Sequence, residues 1–229
     1  GFFYVLDRAT GKLISAEPYV AVTWATGVDP TTGRPIETEQ SSYLEKAKLM
    51  LPGPQGGHNW QPMAFSPKTG LVYLPAHDTP FWYAKEGVFK VRPGTWNLGL
   101  DMDVVVERTE TDTPVAKGQL IAWDPVAKQA RWRVEHEGHW NGGTLSTAGG
   151  LVFHGLGNGV FRAYHDETGE VLWEVRSQTG IIAAPISYAL GDEQYVAVAT
   201  GRGGGSIAGR LHETTPIANP HNVGRVRVW

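Results

Sequence analysis

Two short runs in this 229-residue chain set an amide beside a large flat ring: His58-Asn59-Trp60 and Trp140-Asn141-Gly142-Gly143. An asparagine side chain both donates and accepts hydrogen bonds, and an indole offers a wide apolar face with one N–H. Flanked by glycines, which let backbone come close, that pairing can grip the edge of a polar, planar ligand. The same residues can also be structural, the asparagine holding a turn and the tryptophan packing between sheets. Both readings stand on the residues alone. If the two runs hold equivalent places in successive repeats, they face one axis, and the ligand reading gains.

Other chemistry is sparse. His77, His136, His139, His154 and His165 lack the Glu-x-x-His or His-x-His spacing of a metal site and read as turn or surface histidines. Asp101 and Asp103 read as a solvated acidic loop rather than a cation site. No serine sits in a Gly-x-Ser-x-Gly elbow, no phosphate-binding loop is present, and no two carboxylates stand out as an acid and a base. Gly201-Arg202-Gly203-Gly204-Gly205 contains Gly-x-Gly but has no helix pattern behind it, so it is not a dinucleotide fingerprint. Neither a catalytic residue nor a metal ligand is assigned.

The elements that must hold these residues are short strands. Val5 to Gly11, Ala122 to Lys128 and Ala163 to Gly169 share a template. An apolar residue is followed two positions on by Asp or His, five on by Thr or Ala, and six on by Gly or Lys. Trp132 and Trp173 follow the last two copies at the tenth position. A repeat of about 40 residues built from short strands is the mark of a β-propeller blade. Phe2 to Leu6 reads as a strand, Lys12 to Ala16 as its partner, and Gly224 to Trp229 as a terminal strand with one face buried. Blade-like patterns recur at Gly57 to Ala76, Trp140 to Phe153 and Gly180 to Ala199. The expected architecture is all-β, a β-propeller sector of about three to four four-stranded blades. Residues 1–229 read as a single partial propeller with long loop insertions near 24–57 and 77–117. The first insertion holds one possible short helix at Tyr43 to Met50, and the second is irregular and rich in aromatic residues.

Composition narrows the partners. A net charge of −3 leaves no electrostatic footprint for nucleic acid or an anionic membrane. With no cysteine, the chain has no disulfide, thiolate metal site, cysteine nucleophile or Cys-x-x-Cys-His haem attachment. No apolar run approaches the roughly 18 residues that span a bilayer. The nine tryptophans recur at blade positions, which assigns most of them to packing between blades. No signal-peptide pattern is present, and a chain that starts inside a strand implies a preceding segment.

Gly1-Phe2-Phe3-Tyr4-Val5-Leu6-Asp7-Arg8-Ala9-Thr10-Gly11-Lys12, Gly57 to Met63, Trp140 to Leu145 and Gly169 to Trp173 together resemble the quinoprotein alcohol dehydrogenases. These are periplasmic enzymes that use pyrroloquinoline quinone (PQQ) and a calcium ion on an eight-bladed propeller. The resemblance runs essentially end to end. It implies in-plane cofactor contacts from Asn59 and Trp60, and further cofactor-edge positions at Trp140, Asn141 and the Gly204-Gly205 turn. It implies that segment 77–117 helps to roof a substrate channel. The implied reaction oxidises a primary alcohol to an aldehyde and passes electrons to a cytochrome or quinone acceptor.

In that family the cofactor-contacting Lys lies just before the Gly-Phe-Phe-Tyr strand. The Asp base, the calcium ligands, the stacking Trp and the adjacent cysteine pair lie further upstream. None of these is in this chain, and no haem is expected in it. The resemblance thus places the chain as the C-terminal part of the propeller, silent alone and completed by the remaining N-terminal blades or by a second copy that closes the ring. The rival expectation is a non-catalytic periplasmic propeller scaffold that binds proteins through its loops.

Overall fold

The structure is a computed structural model describing residues 1–201 and 224–229; Gly204 and Gly205 fall outside the described residues. In chain order the elements are β1 (Phe2–Leu6), β2 (Leu13–Pro18), β3 (Ala25–Val28), β4 (Pro35–Glu37), a 3-10 turn (Glu39–Ser41) and β5 (Lys48–Met50). Then come β6 (Ala64–Ser66), β7 (Leu71–Asp78), β8 (Phe81–Tyr83) and one helix, α1 (Met102–Asp112). The remainder is β9 (Lys117–Asp124), β10 (Gln129–His136), β11 (Asn141–Ser146), β12 (Leu151–Leu156) and β13 (Val160–His165). It ends with β14 (Val171–Arg176), β15 (Ile186–Leu190), β16 (Glu193–Thr200) and β17 (Arg225–Val228). They pack as two compact units, residues 1–57 with 78–115, and residues 58–77 with 116–229.

The second unit carries the blades. β10-β9-β7-β6 and β11-β12-β13-β14 are four-stranded sheets, and β15-β16-β17 is three-stranded. This is the all-β propeller-sector architecture that the repeat predicts. The repeat template makes the same turn in each of its three copies, one in the first unit and two in the second. Asp7 Oδ1 accepts the N–H groups of Ala9 and Thr10, Asp124 Oδ1 those of Val126 and Ala127, and His165 Nδ1 that of Glu167. The sixth template position is left-handed in all three, at Gly11, Lys128 and Gly169. Asp29 heads a further turn of this type, with Thr32 and Gly33 at the same spacing.

Alternating strand faces build two seams. Val152 points into a core with Leu71, Tyr73, Leu120, Ala122 and Tyr164, and its neighbour Phe153 points into another with Phe161, Ile181, Val196 and Val198. Trp132 joins the first two sheets: its Nε1–H donates to Asp166 O at 2.9 Å, as the Tyr73 hydroxyl does at 3.2 Å. A Cβ on Gly169 would lie 2.8 Å from the Trp132 ring. Only glycine permits both that contact and the local φ of +74°.

The terminal strand forms with one face turned inward, and that face is the basic one. Val226 and Val228 are exposed while Arg227 is half-buried. The register pairs Arg227 with Val198, so the arginines share the inward face of the sheet, and Arg225 reaches Gln178. The valines join Ile186 and Leu190 on an open apolar face.

The first unit holds the pairs β1-β2, β3-β4 and β5-β8, and α1. The helix expected at Tyr43 to Met50 does not form. Lys48–Met50 pairs instead with Phe81–Tyr83, because strand pairing across an aromatic segment outweighs local propensity. Segment 77–117, expected to be irregular, contains α1. Asp101 caps it by accepting the Val104 N–H, and Arg108 lies 5.5 Å over the Trp82 ring.

Candidate functional site

Within the second unit, the inner segments of three successive sheets lie side by side. Pro62 O accepts both the N–H and the hydroxyl of Thr144, at 2.9 and 3.2 Å. Gly142 and Gly143 carry the contact onward. A Cβ on Gly143 would lie 2.7 Å from Pro62 and 2.8 Å from Ala184, and one on Gly142 would lie 2.6 Å from Ala183 O. Ile181 N–H donates to Leu156 O, and Gly201 N–H to Gly180 O. Glycine is required at 142 and 143 because any side chain would push these segments apart.

A one-residue bulge in β11 turns the chain here: Asn141 opposes Leu156, but Thr144 opposes His154. Bulges re-aim side chains beside functional sites. Asn141 is fully buried; its Nδ2–H donates to Ala76 O at 3.1 Å, and its Oδ1 has no partner. The Trp140 Nε1–H is also buried without an acceptor. Its ring packs against His77 at 5.9 Å and His139 at 5.3 Å. Asn59 and Trp60 stand exposed, with Asn59 Oδ1 accepting the Trp60 N–H at 2.9 Å. The structure therefore brings the 58–62 and 140–144 segments together through Pro62 and Thr144. It leaves the first amide-ring pair at the surface and buries the second amide.

Sequence reasoning missed the residues around this pair. Gln61 is 1% exposed, and both ends of its amide lack partners. The histidines expected on turns or the surface are mostly interior: His77 and His154 are fully buried, and His139 nearly so. His77 Nδ1–H donates to His139 O at 2.8 Å, and His58 Nδ1–H to Pro75 O at 2.7 Å. The Nε2 atoms of His136 and His154 meet at 3.4 Å. One signal existed, since His154 lies in an apolar strand between Phe153 and Gly155. His165 alone behaves as expected, heading its turn.

Burial disfavours the imidazolium at His58, His77, His136 and His154, pushing His77 and His136 to about 4 and His154 to about 3. For His136 the Arg162 charge adds to burial, and for His154 the neighbouring His136 does. These rings are neutral near pH 7. Among the described residues no group of three His, Cys, Asp or Glu could hold a metal ion.

A sequence profile described as PQQ, glucose/ethanol/alcohol dehydrogenase, beta-propeller domain, matches residues 91–196. The chain is 48% identical over 212 residues to the dehydrogenase subunit of a quinone alcohol dehydrogenase from Gluconacetobacter polyoxogenes, spanning 89% of this chain and 29% of that protein. The crystal structure of a quinohemoprotein alcohol dehydrogenase from Comamonas testosteroni superposes with a TM-score of 0.78 at 43% identity. The match covers 88% of this chain and 30% of that one. A europium-containing methanol dehydrogenase superposes over the whole chain with a TM-score of 0.81 at 30% identity, covering 43% of its own length. The chain is thus a relative of the PQQ-dependent alcohol dehydrogenases that corresponds to part of their propeller, spanning about three-tenths of the length of the curated relatives it matches.

Proposed function

We propose that this chain is the C-terminal propeller segment of a PQQ- and calcium-dependent alcohol dehydrogenase, and that its inner blade ends form one edge of the cofactor pocket. The observation that carries the reading is the pair of unpartnered polar atoms, Trp140 Nε1–H and Asn141 Oδ1, beside the contact of Pro62, Gly143 and Ala184. Native interiors rarely leave such atoms unpaired, and a buried donor and acceptor on adjacent residues suit a flat ligand rich in oxygen and nitrogen. The residues fit PQQ in that sense. Asn59 and Trp60 would add in-plane contacts, and Gly204 and Gly205 a further edge.

When bound, PQQ supplies the two-electron acceptor for oxidation of a small primary alcohol, and electrons then pass to a cytochrome or quinone. This chain's own residues orient the cofactor edge and exclude water from it. The proton-abstracting base and the calcium ligands belong to other parts of the enzyme, which makes the chain inactive alone. The open apolar face of Ile186, Leu190, Val226 and Val228 supports an incomplete assembly, because exposed apolar patches of this kind mark interfaces. The remaining blades of the same enzyme, or a second copy, would cover it, in the periplasm.

The test is reconstitution. PQQ and calcium are titrated into the chain alone and into the chain mixed with the remaining blades, with solution mass and dye-linked alcohol oxidation as readouts. The expected result is activity only in the mixture, in a complex larger than the chain. A well-behaved monomer with no quinone binding and no oxidation in the mixture would overturn the reading in favour of a scaffold.

A further inference from the structure

A reciprocal clasp joins the end of β7 to the start of β11. His77, on the first sheet, donates from Nδ1–H to the carbonyl of His139 at 2.8 Å. Asn141, on the second, donates from Nδ2–H to the carbonyl of Ala76 at 3.1 Å. Each side chain thus holds the other sheet's backbone, and Trp140 lies between the two bonds. The His77 ring stands edge-on to the Trp140 indole at 5.9 Å and 70°. His77 is fully buried, and its Nε2 has no partner. Its contacts are the His139 carbonyl, the His139 ring at 6.5 Å and the Trp140 ring.

We infer that His77 is the positioning residue for Trp140 and Asn141, setting the indole N–H and the amide oxygen at the proposed cofactor edge without touching the cofactor itself. This rests on the PQQ reading for its ligand, but the positioning is a property of this chain alone. The two bonds fix residues 139 and 141 on either side of Trp140. Loss of the His77 donor leaves one bond to hold a bulged, glycine-flanked strand start.

The required atom is a donor at the Nδ1 position. Asparagine can present its Nδ2–H there, glutamine reaches only towards the Nε2 position, and phenylalanine keeps the ring but donates nothing. The test compares His77→Asn, His77→Gln and His77→Phe. In the chain without quinone, the Trp140 indole N–H resonance, assigned through Trp140→Phe, reports ring placement. In the chain mixed with the remaining blades, PQQ titration reports the edge.

The expected result is a shifted or broadened Trp140 resonance and at least a tenfold weaker PQQ affinity in His77→Phe and His77→Gln, with both restored in large part by His77→Asn. Unchanged Trp140 signals in the Phe and Gln variants would overturn the inference, as would equal damage in all three, which marks bulk packing alone. If Trp140 responds as described but the wild-type mixture binds no PQQ, the positioning stands and the cofactor reading falls. If wild type binds PQQ and all three variants bind equally, the cofactor reading stands and the positioning falls.

Discussion

Two regions of the same blades treat their tryptophan N–H groups in opposite ways. Midway along the first two sheets, Tyr73 and Trp132 reach across the seam, and both the phenol and the indole N–H find the carbonyl of Asp166. At the inner ends of those strands, Gln61, His77, Trp140 and Asn141 bury polar atoms that have no partner, a larger group than the Tyr164 hydroxyl and Asp166 Oδ2 left so at the seam. Aromatic area with satisfied donors stabilises a fold, whereas an orphaned buried donor or acceptor costs about 1–3 kcal/mol. The difference separates the labour: the seams hold the blades together, and the inner ends give up stability to keep groups available for a ligand.

The largest effect should come from emptying a seam. Phe161 is fully buried and stacks on Phe153 and Trp229 at 5.9 and 5.1 Å. Phe161→Ala should lower unfolding stability by about 3–5 kcal/mol, read from denaturant midpoints. A loss below about 1 kcal/mol would break the comparison on its seam side.

Acid should act on the inner ends first. His77, His136 and His154 have folded pKa values below the ordinary 6.5, so the unfolded chain binds more protons than the folded one between 6.5 and about 4. Stability is complete above pH 6.5 and falls as pH drops through that window, with His77 alone contributing on the order of 3 kcal/mol. The Asp7 and Asp29 carboxyls do not share the window, since both lie below the ordinary 3.8 through hydrogen bonds from Thr10 and from Thr31. Denaturant midpoints that stay level from pH 7 to 4.5 would contradict the neutral, buried histidines.

Smaller effects separate the regions more sharply. Trp132→Phe keeps an aromatic side chain but removes the pyrrole ring and its bond to Asp166 O, and should cost about 1–3 kcal/mol in the same denaturation assay. Asn141→Leu loses the bond to Ala76 O but also removes the unpaired Oδ1, so its stability change should stay within about 1 kcal/mol.

The blades were legible because their turns recur. An Asp or His four residues before a left-handed position needs no distant partner, and Gly11, Lys128 and Gly169 all obey it. The inner ends were legible in part, through Asn141 and its glycines. The histidines were not, because their partners are far away in sequence: His77 and His139 are 62 residues apart, and neither neighbourhood shows a metal-like spacing. Tyr43 to Met50 misled for the same reason, since its pairing partner is Phe81–Tyr83. Which face of the terminal strand turns inward was not legible, because alternation reveals two faces but not their orientation; Val226 and Val228 turn outward.

The division of labour is tested most directly by measuring two quantities on two variants, PQQ affinity in the chain mixed with its remaining blades and the denaturant midpoint of the chain. Asn141→Leu should weaken affinity at least about tenfold with little change in midpoint, while Trp132→Phe should lower the midpoint and leave affinity near wild type. Affinity and midpoint falling together in both variants would contradict the account.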